Sequence, residues 1–250
     1  MWQWLKGYYH KLASPKYFYE ITSKWLPVFV ICATVLLVAG SVWALVFAPQ
    51  DYQQGNSFRI FYIHVPAASL SLTIYLCMAI ASLVALVWRI KIAEVLAKSA
   101  AGIGASMAFM ALVTGALWGK PTWGTYWVWD ARLTSMLILW FLYIGIIALQ
   151  YAIRDAQAAA KATSILTLVG VVNLPIIKYS VDWWNTLHQS ATFTVTQKPA
   201  MPDEMWLPFV VMLLGFYAFA GMIVIIRARS EILLRERRSK WVKRLYLGER

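Results

Sequence analysis

Apolar residues along this chain do not alternate with polar ones; they run in blocks long enough to cross a bilayer. Six such blocks occupy 26–48, 61–88, 93–117, 133–153, 162–177 and 206–226, separated by short polar or charged stretches. About 20 apolar residues, at ~1.5 Å rise each, cover a hydrocarbon core of ~30 Å. The pattern therefore predicts an all-α integral membrane protein, a six-transmembrane-helix bundle forming a single membrane domain over 1–250. The first block is too long for the apolar core of a signal peptide and reads as a retained span. The fifth is short and is interrupted by Asn173 and Pro175. "AGIGASMAFMA", residues 101–111, forms a small-residue stripe suited to close helix packing. Pro66, Pro175 and Pro208 fit first-turn or kink positions.

Composition sharpens this picture. The 250 residues are 61% hydrophobic and 14% charged, whereas soluble domains average ~45–50% and ~25%. A net charge of +12 in a soluble protein would suggest nucleic acid. Here the cations lie in tails and short loops, so they report topology instead, and no nucleic-acid partner is expected. With six spans, both tails share a side with the loops after spans two and four. That side carries 18 Lys and Arg; the other carries 5, namely Arg59, Lys120, Arg132, Lys178 and Lys198. Both termini are thus predicted to be cytoplasmic: a short segment 1–25 and a basic tail 227–250. The tail, with Ile232, Leu233, Trp241, Val242 and Leu245, fits either anionic lipid or a cytoplasmic partner. Cys32 and Cys77 sit in separate apolar blocks without a CxxC pattern and read as small buried hydrophobes. No Walker loop, nucleophile elbow or paired catalytic carboxylates occur, and the spans lack mid-membrane carboxylates, which argues against an ion-coupled pump.

The chemistry-bearing residues gather on the side opposite the tails. "WGKPTWGTYWVWDARLT", residues 118–134, links spans three and four. It fits an interfacial aromatic belt, a packing cluster, or a platform for a flat aromatic ligand. Elsewhere, Trp2, Trp4, Trp25, Trp43, Trp88, Trp140 and Trp241 need only anchoring or packing. If 123–134 is helical, Trp123, Trp127, Asp130 and Thr134 share a face. His64, in "FRIFYIHVPAAS", and His188, in "VDWWNTLHQSATF", fall on this same outer side, while His10 does not. Trp184 and His188 would also share a face in a helical segment. A lone histidine at a helix end is more often a hydrogen-bonded structural residue than a ligand. A pair beside an aromatic shelf suits iron better, because zinc asks for three or four protein ligands and porphyrin iron for no more than two. Haem propionates would meet Arg132, with Arg59, Lys120 and Lys178 as further candidates. Asp130 is expected to fix Arg132 or tryptophan N–H groups.

"WGTYWVWDARLTS", residues 123–135, closely resembles the tryptophan-rich motif of the WWD-motif haem-handling family of cytochrome c biogenesis. Six spans, a histidine before span two and another in the last outer loop are similar to its maturation protein C group (CcmC, haem exporter protein C), over essentially the whole chain. The resemblance implies that His64 and His188 are axial ligands of haem b (iron protoporphyrin IX), and that Trp118, Trp123, Trp127, Trp129, Asp130 and Arg132 belong to the haem-binding motif. It implies a non-enzymatic protein of the bacterial inner membrane that holds oxidised haem at the periplasmic face. From there it would present haem to a membrane-anchored periplasmic haem chaperone, alongside ABC transporter ATPase and permease subunits and a small single-span subunit. Two rivals remain open at this stage, a membrane cytochrome that carries electrons and a haem translocation pore.

Overall fold

A computed structural model describes residues 13–188 and 201–247. Trp2, Trp4, Lys6, His10, Lys11, Lys198 and Arg250 lie outside the described residues. Helix α1 (Pro15–Val42) begins well before the predicted span. Its start follows from local chemistry: Pro15 presets the first helical φ, and the Ser14 hydroxyl accepts a hydrogen bond from the Tyr17 N–H at 3.4 Å. A π-helical turn (Trp43–Phe47) ends α1, and a 3-10 turn (Asn56–Ile60) leads into α2 (Phe61–Trp88). Helix α3 (Lys91–Trp123) follows after the left-handed Arg89, and α4 (Ala131–Ala152) starts at Asp130, whose Oδ1 accepts from the Leu133 N–H at 2.7 Å.

The predicted interruption in the fifth span is real. Helix α5 (Ala156–Gly170) and helix α6 (Asn173–Trp183) together make one membrane-capable segment, Ala156–Trp183. Asn173 begins α6, and its buried amide donates to the Ser135 carbonyl of α4 at 2.8 Å, so the polar residue is satisfied inside the bundle. Helix α7 (Asp203–Arg235) outruns its predicted span and carries Arg227 and Arg229 on a continuous helix. Helix α8 (Lys240–Leu247) completes the described chain. Six segments are long and apolar enough to cross a membrane, and the described residues contain no strand, only an isolated bridge between Asp51 and Gly55.

Two antiparallel pairs organise the bundle: α2 packs along α3, and α1 packs along α7. Helices α2 and α3 both pack on α7, while α4 packs on α3, α5 and α6. Tight α3–α4 packing needs the small-residue stripe: a Cβ on Gly104 would lie 2.3 Å from Cε1 of the fully buried Tyr143. The Tyr143 hydroxyl donates to the Ser71 carbonyl at 2.7 Å, which ties α4 to α2. Cys32 and Cys77 are not the buried hydrophobes expected of them. Both are free and exposed on outward faces, where lipid rather than protein supplies the apolar surroundings.

Antiparallel succession sorts the helix ends. The starts of α2, α4 and α7 and the ends of α3 and α6 share one end of the bundle; the starts of α1, α3 and α5 and the ends of α2, α4 and α7 share the other. At that second end Arg229 donates to the Tyr19 carbonyl at 2.8 Å and lies 3.9 Å over the Tyr19 ring. Trp241 of α8 donates to Glu236 at 2.5 Å. Substituting Gly104→Ala should destabilise the protein by ~1–3 kcal/mol through overpacking. Gly104→Ala combined with Tyr143→Leu should be less destabilised than the two single changes added together. Thermal unfolding in detergent reads both; strict additivity would exclude this contact as the cause.

Candidate functional site

The loop between α1 and α2 is folded by its own side chains. Asp51 Oδ1 accepts from the backbone N–H groups of Gln53 and Gln54 at 2.9 and 2.7 Å, and Gly55 takes the positive φ of 55° that the turn requires. This aims Gln54 at α3, where its Oε1 accepts from Trp118 Nε1 at 2.7 Å. Arg59 donates to the carbonyls of Leu45 and Ala48, closing the π-helical turn. It is therefore spent on capping and is not a cation of the cavity described below.

His64, in the first turn of α2, leans on α3. Its Nδ1 lies 3.1 Å from the Thr114 hydroxyl, which itself donates to the Met110 carbonyl at 2.6 Å. With that hydroxyl proton committed, Thr114 can only accept, so Nδ1 carries the imidazole proton and Nε2 keeps a free lone pair. Gly115 makes the approach possible: a Cβ there would stand 2.9 Å from His64 Cε1. Trp118 meets the same ring edge-on at 5.7 Å.

His188 lies beyond α6 and is held by the start of α4. Its Nδ1 is 3.4 Å from Oδ2 of the buried Asp130, and Trp123 meets its ring edge-on at 4.7 Å. Burial pushes the His188 pKa below its ordinary 6.5; Asp130 pulls it upward and Arg132 presses it down, and burial prevails. The ring is consequently neutral at neutral pH, with Nδ1 turned to a carboxylate and Nε2 left as a potential ligand.

His64 and His188 line one cavity of about 570 Å³ between α2, α3, α4 and α6, within the ~300–1,000 Å³ range of small-molecule pockets. Val65, Leu72, Leu112 and Met136 give it apolar walls, and Arg132 and Lys178 add cations that make no ion pair among the described residues. No cluster of three or more metal-binding side chains exists among the described residues, so the donor set there is a pair of imidazoles.

The tryptophans are arranged differently from the expected shelf. Residues 124–130 are not helical: Gly124, at φ 79°, ends α3, and Asp130 caps α4, so Trp123, Trp127, Asp130 and Thr134 do not form a helical face. Trp184 is extended after the end of α6, so it shares no helical face with His188. None of Trp118, Trp123, Trp127, Trp129 and Trp184 lines the cavity. Trp118 and Trp123 stand behind the two imidazoles, Trp127 packs on the core, and Trp129, edge-on to it at 5.4 Å, is 75% exposed. Lys120 donates to the Gly124 carbonyl and sits over Tyr126, away from the cavity. Asp130 hydrogen-bonds His188 and its own helix rather than an indole N–H, and it acts on Arg132 through charge alone. Thr114, Gly115 and Gln54 escaped the sequence reading. Thr114 had a signal, since it precedes Trp118 by one helical turn and must face the same neighbour.

The family model described as Heme exporter protein C matches residues 8–243. The chain belongs to the haem exporter protein C family. It is 50% identical over 245 residues to the "Heme exporter protein C" of Haemophilus influenzae, covering 98% of each chain. The protein of that name from Escherichia coli K12 is 49% identical over 247 residues, covering 99% of this chain and 98% of its own. A "Putative cytochrome c biosynthesis ccmC-like mitochondrial protein" of Marchantia polymorpha is 43% identical over 200 residues, covering 80% of this chain and 83% of its own. Six membrane-capable helices together with these relatives make this family member a multi-pass protein of the bacterial inner membrane.

Because its pKa is depressed, His188 binds fewer protons in the folded than in the unfolded state between its two pKa values. Its contribution to stability is present above about 6.5 and is lost as pH falls toward the folded pKa. In Asp130→Asn the upward pull of the carboxylate vanishes, so His188 should titrate at still lower pH. Histidine-selective NMR titration checks this; an unchanged or raised pKa would remove Asp130 as its partner.

Proposed function

We propose that this chain holds haem b (iron protoporphyrin IX) as cargo in the cavity between His64 and His188, as a haem-handling component of cytochrome c biogenesis. The observation that carries the reading is the pairing of two histidines, each with Nδ1 engaged by a neighbour, on the walls of one cavity. An apolar enclosure with a few convergent polar groups suits a large planar ligand. The names of the relatives, heme exporter protein C and a cytochrome c biosynthesis protein, point to the same cargo.

In this reading His64 and His188 supply the two axial nitrogens, and Thr114 and Asp130 orient them through Nδ1. Arg132 and Lys178 meet the propionates. Trp118 and Trp123 brace the imidazoles from behind, while Trp129 and Trp184, both substantially exposed, are left for surfaces that approach from outside. Trp127, half-buried against the core with an indole N–H that finds no partner among the described residues, supports Trp129. Two imidazoles leave iron no open position, which favours holding and passing on haem over oxygen chemistry or enzymatic turnover. The distribution of Lys and Arg supports placing this end at the periplasmic face with both termini cytoplasmic. Haem then faces a periplasmic haem chaperone, while the basic end faces anionic lipid and the cytoplasmic side of the ABC transporter ATPase and permease subunits; a small single-span subunit would complete the assembly.

His64→Ala and His188→Ala should each lower haem retention at least tenfold and shift the Soret band; unchanged spectra and retention in both would overturn the ligand assignment. Thr114→Val should weaken retention ~10–100-fold by freeing the His64 ring, with Thr114→Ser close to the parent. For orientation, Tyr52→Cys in a background without Cys32 and Cys77 should react with a membrane-impermeant maleimide from the periplasmic side. Reaction only after the inner membrane is breached would invert the topology.

A further inference from the structure

At the end of the bundle opposite the histidines lies a cleft that haem handling does not use. A cavity of about 760 Å³ is enclosed by the end of α2, the starts of α1, α3 and α5, and the end of α7. A smaller one, about 180 Å³, adjoins it, and Glu94, Ser164 and Arg235 line both. The carboxylates in this cleft are already engaged: Glu94 pairs with Arg235 at 3.2 Å, and Glu236 accepts from Trp241. Arg235 and Lys98 are engaged too, in ion pairs with Glu94 and Glu231, but four other cations are not. Arg89, Lys91 and Lys161 line the larger cavity and Arg154 the smaller, and none makes an ion pair or side-chain hydrogen bond among the described residues. Arg89 also holds a left-handed backbone, φ 54°, which residues bearing a side chain rarely adopt.

A second observation is independent of these charges. Ser164 is only 5% exposed, yet its hydroxyl has no hydrogen-bond partner among the described residues while it lines both cavities. Its oxygen opens onto the cavities, so a ligand there meets a hydroxyl free to donate. Gln157 aside, the rest of the larger cavity's lining is apolar, with Ala85, Leu86, Val95 and Ile232 among it. Beyond it, α2 presents an outward stripe of Leu76, Ile80, Leu83 and Val87 at spacings of four, three and four, each about half exposed. On the neighbouring α5, Ile165 and Val169 are exposed in the same way.

We propose that this cleft binds the phosphodiester headgroup of an anionic phospholipid, with Arg89, Lys91, Lys161 and the Ser164 hydroxyl on the phosphate and the acyl chains along the exposed faces of α2 and α5. Charge selects an anion, and apolar walls that continue into outward-facing stripes select a lipid over free phosphate. The assignment is independent of the haem reading, because no residue is shared with the histidine cavity.

The test uses the full chain in detergent, offered dioleoyl phosphatidylglycerol and dioleoyl phosphatidylcholine at equal concentration, with bound lipid read by native mass spectrometry. Phosphatidylglycerol should be retained preferentially. Arg89→Gln/Lys91→Gln/Lys161→Gln should cut that preference by about a hundredfold, on the order expected for three cations at an anionic surface. Ser164→Ala should lower phosphatidylglycerol retention about tenfold, as for one hydrogen bond to a charged group. Haem retention should stay at the parental level in all of these variants, which verifies folding; should the triple variant fail to fold, Lys161→Gln alone reads the same preference. Equal retention of both lipids by the parent, or an undiminished preference in the variants, overturns the proposal. Displacement of phosphatidylglycerol by inorganic phosphate at tens of millimolar overturns the lipid assignment in favour of a free oxyanion.

Discussion

The seating of α2 along α3 is the constraint from which the rest of the site follows. His64 reaches Thr114 only because Gly115 leaves room at its Cε1, and Trp118, one turn further on, fills the space behind the ring. The α1–α2 loop then locks Trp118 through Gln54. A chain of contacts from Asp51 to Met110 thus fixes one imidazole and its protonated nitrogen. Shifting α2 by one residue would turn His64 away from Thr114 and lose the whole arrangement.

The second imidazole is held by a different device. Asp130 divides its carboxylate between two tasks: one oxygen caps α4 and the other faces His188. Capping ties the carboxylate to a rigid helix start, so a residue beyond the end of α6 acquires a fixed position from the opposite wall. Burial keeps that ring neutral, which is the state a metal requires. Cations are sorted just as strictly. Arg59 and Lys120 are consumed by carbonyls, and Arg132 and Lys178 remain at the cavity.

The molecule therefore separates two chemistries along its length. At one end two imidazoles, Arg132, Lys178 and Asp182 line a largely apolar hollow with indoles behind the imidazoles; at the other, ion pairs among Lys98, Glu94, Glu231 and Arg235 stitch α3 to α7 beside cations left without partners among the described residues. Between them the bundle is largely apolar; buried Asn173 and Tyr143 are hydrogen-bonded across helices, whereas the Tyr62 and Tyr75 hydroxyls have no partner among the described residues. This division places ligand chemistry at the helix ends, where charged groups remain close to water, and leaves helix packing to the interior.

The six apolar blocks, the excess of Lys and Arg on one side, and the pair of histidines with the tryptophan-rich stretch were legible from residue order alone, because span length and charge distribution are local properties that the bilayer itself reads. Span ends were less legible: α1 and α7 run past the apolar blocks because capping and helix continuation do not depend on hydropathy. What the tryptophans do was not legible at all. Gly124 ends α3 and turns 124–130 out of helix, so rings that a helical register would align are dispersed, two of them behind the histidines. The roles of Gly115 and Gln54 belong to the tertiary structure alone, and the sequence shows of Thr114 only that it shares a face with Trp118. Each contributes only through a partner tens of residues away, a relation that exists once the helices have packed and that no local pattern encodes.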